Sequence, residues 1–255
     1  MSNNHKGYLI AGNWKMNGSL DKNFSLIESI KNFNLYDKKN SEILICPPDL
    51  YLSQVRKMLL DCEITFGAQN VSKEKVSGAF TGETSSFMLS DLGCAYCIIG
   101  HSERRLYHGE SEEIIAEKFL RLLESQITPI FCLGEPINIR NEGNHTQYVI
   151  SQLENVANII GIDKFKNTVI AYEPVWAIGT GMSASPDQAQ EMHLLLRSFF
   201  SESGIADTIR IIYGGSVKPI NAKELFSMPD IDGALIGGAS LISDDFLSIY
   251  ESSLN

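Results

Sequence analysis

Several polar or glycine-rich positions in this sequence fall where apolar runs give out, and each suggests a chemical task. Glu173 closes the run Thr168–Tyr172, inside the string A-Y-E-P-V-W-A-I-G-T-G at 171–181. A carboxylate ending an apolar stretch is costly unless it has a partner or a task, and apolar surroundings strengthen a carboxylate as a base. His101 comes one glycine after the run Ala95–Ile99 and directly before Ser102-Glu103-Arg104-Arg105. The positive end of a helix starting there disfavours an imidazolium and leaves a neutral ring able to donate a hydrogen bond. Lys15 lies just after the first apolar run, in Ala11-Gly12-Asn13-Trp14-Lys15-Met16-Asn17, where an ammonium group suits an anion. If the chain is still extended there, Asn13 and Lys15 share one side and Trp14 takes the other.

Glycine pairs end two later runs: Gly214-Gly215, followed by Ser216, and Gly237-Gly238. Such pairs let backbone N–H groups come close to an oxyanion. The stretch Val175–Ile178 is apolar between Pro174 and the glycines at 179 and 181. It reads either as core or as a lid whose inner face excludes water from a bound substrate. Taken singly, each feature also has an ordinary reading: a loop lysine, a structural histidine, a turn glycine. The remaining histidines have weaker claims, with His5 in a polar tail, His108 in a turn, His145 in a polar loop and His193 within a helical pattern.

The elements that must position these residues are short apolar runs alternating with amphipathic stretches. Strands are expected at Tyr8–Ala11, Glu42–Cys46, Glu63–Ala68, Ala95–Ile99, Ile127–Cys132, Thr168–Tyr172, Ile209–Tyr213 and Gly233–Ile236. They are continuously apolar rather than alternating, as parallel strands covered on both faces are. Between them, Ile115, Phe119 and Leu122 recur at helical spacing behind Glu112 and Glu113, and Ala189, Met192, Leu196 and Phe199 do the same. The second pattern opens with Ser185-Pro186-Asp187-Gln188, a capping box with proline at the first helical position. Further helices are expected near Leu20–Phe33, Leu50–Leu60, Thr84–Leu92, Gln147–Ile160, Val217–Phe226 and Ser243–Ser252.

Eight strand–helix units in 255 residues come to about 32 residues each, the scale of a closed barrel of eight parallel strands ringed by helices. Periodicity alone also fits a doubly wound open sheet, but no G-x-G-x-x-G follows the first strand. No linker or charge block divides residues 1–255, which read as one domain. In such a barrel the chemistry sits where strands end, and the loops after strands seven and eight form a recurring phosphate site.

Composition narrows the partners. The formal net charge of -10 argues against nucleic acid, which needs a basic face. An anionic substrate would be repelled at long range, so local positive groups must hold it. No run is long and apolar enough for a membrane span or a signal peptide, and a cytoplasmic location is expected. The five cysteines, at 46, 62, 94, 97 and 132, read as buried reduced thiols, the Cys94-x-x-Cys97 spacing included.

Together these segments resemble the triosephosphate isomerase family. The matching strings are N-W-K at 13–15, I-I-G-H-S-E-R-R at 98–105, the eleven-residue string at 171–181, Y-G-G-S at 213–216 and I-G-G-A-S-L at 236–241, with G-A-Q-N at 67–70, F-T-G-E at 80–83 and C-L-G-E at 132–135 in support. The resemblance covers the whole chain and implies a TIM barrel that interconverts dihydroxyacetone phosphate and glyceraldehyde 3-phosphate through an enediolate. It implies Glu173 as the base, His101 as the neutral electrophile, Lys15 and Asn13 as groups steadying the developing charge, and Glu103 as a supporting acid. Trp14 falls with Asn13 and Lys15 in the substrate-contacting string, and Gly179, Ser216, Gly237 and Gly238 would hold the phosphate.

Neither metal nor cofactor is expected, since no H-E-x-x-H or dinucleotide fingerprint is present and the electrons stay within the substrate. The family's second subunit receives a loop matching Asn70–Thr84, with Thr81 near the partner's site, so a homodimer is implied. Two positions depart from the family pattern: Met182 stands where a lysine is usual after Gly181, and Tyr107 where phenylalanine is common. Another phosphate-binding barrel, such as an aldolase, or an inactive barrel serving as a binding module, would account for the glycines but not for the lid string or the Glu/His pair.

Overall fold

The computed structural model describes residues 7–33, 41–75, 77–179 and 182–254. Eight strands alternate with helices along the chain: β1 Tyr8–Asn13, β2 Ser41–Cys46, β3 Thr65–Ala68, β4 Tyr96–Ile99, β5 Thr128–Leu133, β6 Val169–Tyr172, β7 Arg210–Tyr213 and β8 Gly233–Ile236. Each pairs in parallel with its sequence neighbours, and β8 returns to β1, closing a barrel. The expected fold class is therefore the observed one.

The apolar runs are continuous because both faces of every strand are covered. Leu9, Ala11, Leu44, Ile98, Ile130, Val169, Ile212 and Leu235 fill the inside of the barrel. Their alternates, such as Ile10, Ile45, Ile99, Phe131, Tyr172 and Tyr213, pack outward beneath the helices. The barrel is thus a packed core with its chemistry confined to the rims.

The helices are α1 Leu20–Lys31, α2 Leu52–Leu59, α3 Ser86–Asp91, α4 Ser102–His108, α5 Glu112–Glu124, α6 Ile137–Asn141, α7 His145–Ile160, α8 Pro186–Phe199, α9 Pro219–Phe226 and α10 Ser243–Ser252. The start of α8 follows its sequence: Ser185 Oγ accepts from Gln188 N, and Gln188 Oε1 accepts from Ser185 N. Two differences concern the site. The expected helix at Leu50–Leu60 opens with a 3-10 turn at Asp49–Tyr51. In addition, α6 is inserted after β5 and is too short to show an apolar period, while α4 is the helix expected to start after His101. No helix among the described residues is long and apolar enough to cross a membrane.

Candidate active site

The site is assembled at the C-terminal rim of the barrel, where four strand ends contribute side chains joined in one chain of contacts. After β1, Asn13 Oδ1 accepts from the backbone N of Lys15 at 3.0 Å, and this short ring turns the chain sharply. Lys15 takes a φ of 52°, a left-handed conformation unusual for a residue with a side chain. It is held there from the next strands, because Gln69 Nε2 donates to Lys15 O at 3.0 Å and to Cys46 O at 2.8 Å. The backbone is not extended at Lys15, so simple alternation does not decide where its side chain goes. The ammonium group reaches Glu103 Oε1 at 2.6 Å. That pair is partly open to water, with the lysine side chain 27% and the glutamate 44% exposed, so an incoming anion can compete for the ammonium group.

His101 is the N-cap of α4 and sits almost entirely out of water. Its Nδ1 accepts from Glu103 N at 3.2 Å, which assigns the acceptor role to that nitrogen and the proton to Nε2. The Glu103 carboxylate is farther from Nδ1, at 3.6 Å. An imidazolium would place a second N–H against the amide of Glu103, so this cap fixes a neutral ring. Its Nε2 points at Glu173 Oε1 across 3.1 Å.

Glu173 follows β6 and is 1% exposed. Its second oxygen, Oε2, accepts from Ser102 N at 2.9 Å. Two glycines make room for it. A Cβ on Gly134 would lie 1.7 Å from the Glu173 carbonyl oxygen, and one on Gly214 would lie 2.8 Å from Glu173 Cγ. The thiol of Cys132 also hydrogen-bonds the carboxylate, and burial together with this negative neighbour pushes that thiol far up, so it stays protonated. Glu173 is consequently held only by neutral donors.

The glycine pairs border this group. A Cβ on Gly237 would lie 3.4 Å from Lys15 Cε, so the turn opening the 3-10 helix Gly238–Leu241 runs beside the ammonium stem. Gly214 lies against Glu173, and Ser216 follows two residues on, half-buried at the rim. Gly179 has a φ of 70° and open space around it. The final two residues of the lid string, Thr180 and Gly181, lie outside the described residues.

Asn13, Lys15, Glu103, His101 and Glu173 are thus brought together as the sequence suggests. Trp14 is not: its indole is 1% exposed, buried in the layer between strands and helices, because the turn at Lys15 follows a residue whose side chain faces outward. Any contact of Trp14 with a ligand is left to its backbone. Thr81 is exposed and makes none of these contacts.

Two residues that sequence reasoning gave no role are part of the frame. One is Gln69. The other is Glu135, which has no exposure at all and accepts from Tyr172 Oη at 3.1 Å, Trp176 Nε1 at 2.9 Å and Arg140 Nη1 at 3.0 Å. The signal for Glu135 was there, since it too follows an apolar strand. Among the described residues no cluster of His, Cys, Asp and Glu is placed to hold a metal ion.

Residues 8–253 match the family described as Triosephosphate isomerase. The chain is similar to the triosephosphate isomerase of Nitrosomonas europaea, with 47% identity over 96% of this chain and 98% of that protein. It is also similar to that of Cupriavidus pinatubonensis, with 49% identity over 94% and 97% of the two chains. A third relative, the triosephosphate isomerase of Hahella chejuensis, is 48% identical over 96% of this chain and 98% of its own.

Proposed function

Because the chain belongs to the triosephosphate isomerase family, we propose that Glu173 and His101 carry out its proton transfer in the roles established for such isomerases. The reaction interconverts dihydroxyacetone phosphate and D-glyceraldehyde 3-phosphate. Glu173 removes a proton from the carbon next to the carbonyl and returns it to the neighbouring carbon. A substrate oxygen takes the Nε2–H of His101, which frees Glu173 Oε1 from its 3.1 Å contact to approach the carbon. The ammonium of Lys15, exchanged from Glu103, and the Asn13 side chain stabilise the enediolate oxygen as charge develops there. Ser216, Gly237, Gly238 and Gly179 offer backbone N–H groups to the phosphate, with Lys15 as the nearby cation. Pro174–Gly179 and Met182–Ala184 act as a lid over these groups.

The observation that carries this reading is the unbroken series Lys15–Glu103–His101–Glu173, in which the base faces a neutral imidazole. A coupled isomerase assay tests it. The purified protein should turn over triose phosphate, and Glu173→Gln should lose on the order of 10²–10⁴-fold in rate. A Glu173→Gln protein of unchanged activity would remove the carboxylate from its assigned role.

The protein acts as a homodimer in the cytoplasm on this reading. The base of the Asn70–Thr84 loop is tied by Ser72 N donating to Thr84 O at 2.8 Å, while Thr81 stands exposed near its tip. Large apolar side chains are uncovered in the same stretch and its neighbours: Phe80 is 42% exposed, Phe87 74%, Leu50 82% and Met16 97%. A surface of that kind calls for a partner. Sedimentation at assay concentration should show a dimer; a fully active monomer would contradict it.

A further inference from the structure

Behind the two ends of the lid lies a buried histidine that the reaction does not use. Tyr172 on β6 and Tyr213 on β7 are paired in register and project outward from the barrel. His193, on α8, is fully buried against both, with ring centroids 5.9 Å from Tyr172 and 6.4 Å from Tyr213. Each tyrosine hydroxyl holds a different end of the lid. Tyr172 Oη donates to Glu135, the acceptor of Trp176 Nε1 in the leading segment. Tyr213 Oη accepts from the backbone N of Ala184 in the trailing segment at 3.2 Å. The Tyr213 hydroxyl also crosses Gly215 so closely that a Cβ there would lie 2.2 Å from it, which ties the same ring to the proposed phosphate loop.

We infer that His193 is a positioning residue that couples the two ends of the lid, by wedging the in-register tyrosines so that release of one hydroxyl shifts the other. The ring projects from α8 and is anchored to the turn before β8, with Nδ1 3.2 Å from Asp230 O. One ring therefore packs against both tyrosines, edge-on to Tyr172 and tilted against Tyr213, whose own rings lie 6.5 Å apart. Close-packed contacts of this kind have few alternative arrangements, which is how local release becomes a joint movement. Burial lowers the ring's proton affinity to a pKa of about 4, so it acts by shape and stays uncharged at neutral pH.

The inference rests on the lid assigned above, and its test needs no turnover, so the two can fail separately. Hydrogen exchange of the Ala184 amide reports the trailing end in the free protein. Tyr172→Phe, which cuts only the leading tie, should speed Ala184 exchange at least about threefold with His193 present, the scale of coupling expected between contacting side chains. In a His193→Leu background the same change should have no further effect. His193→Phe, which keeps a ring of similar size, should restore the coupling and also serves if the leucine variant folds poorly. For activity, His193→Leu should lower kcat and alter KM together, and His193→Phe should recover both. Ala184 exchange untouched by Tyr172→Phe, or equally accelerated in both backgrounds, would overturn the inference. Loss of isomerase activity in the unaltered protein would instead sink the functional reading.

Discussion

Two carboxylates end neighbouring strands of this barrel, Glu135 after β5 and Glu173 after β6, and both are shut away from water. Their surroundings are opposite. Glu135 is saturated by a phenol, an indole and a guanidinium, and Arg140 brings a full positive charge while stacking over Trp176 with its guanidinium carbon 5.2 Å from the ring centroid. Glu173 receives a backbone N–H, an imidazole N–H and a thiol, all neutral, and among the described residues no lysine or arginine is within ion-pair distance of it. The cation nearest the chemistry, Lys15, is spent on Glu103 at the partly open rim. Burial alone therefore assigns no role. A buried carboxylate matched by a cation is an anchor, and one held only by weak neutral donors can exchange them for a proton.

Exchanging the two glutamates' chemistry should separate these roles. Glu173→Gln should remove nearly all turnover, on the order of 10²–10⁴-fold in kcat, while its denaturation midpoint stays close to the parent's. Glu135→Gln should do the reverse. It leaves Arg140 in a pocket where its side chain is only 12% exposed, so urea unfolding should register a loss of about 3–5 kcal/mol. Its kcat should fall less than tenfold. Equal kinetic damage from the two substitutions would erase the distinction between anchor and base.

Lys15→Met sharpens the contrast at the rim. Loss of a charge-assisted contact to an anion is worth about 1.5–3 kcal/mol, so kcat/KM should drop on the order of 10–10²-fold, through kcat for the enediolate and KM for the phosphate. An unchanged KM would count against the cation's assignment.

A smaller effect comes from His193, the buried neutral ring. Its folded-state pKa of about 4 lies below the usual 6.5, with burial as the main cause, Arg197 also lowering it and Asp230 raising it. The unfolded chain then binds the extra proton between these values. The contribution is present above about pH 6.5 and is lost as pH falls toward 4, amounting to about 2 kcal/mol between pH 7 and pH 5. Unfolding curves of His193→Phe should lack this component of the pH dependence, and an identical slope in both proteins would refute its origin in this ring.

The sequence made much of this legible, for identifiable reasons. Strands covered on both faces must be apolar throughout, so all eight could be placed, with β8 found at Gly233–Ile236 as expected, β5 shifted by one residue, and the others differing by one or two residues at one end. The start of α8 was written in Ser185, Pro186 and Gln188. The helix α4 spans seven residues and α6 five, too few for a period to appear, and only the start of α4 was marked, at His101. The left-handed turn at Lys15 was invisible because it is imposed from outside, by Gln69 reaching over from after β3. That turn is also why Trp14, read from its string as a substrate contact, goes to the core. Glu135 had the same sequence signature as Glu173, and only its donors tell them apart.

The most direct test follows the proton itself. Dihydroxyacetone phosphate incubated with the protein in deuterated water should take up deuterium at the carbon that becomes chiral, as seen by proton NMR. Glu135→Gln should retain this exchange at a rate within tenfold of the parent, and Glu173→Gln should lose it. Exchange persisting at the parent rate in Glu173→Gln would show that another group abstracts the proton.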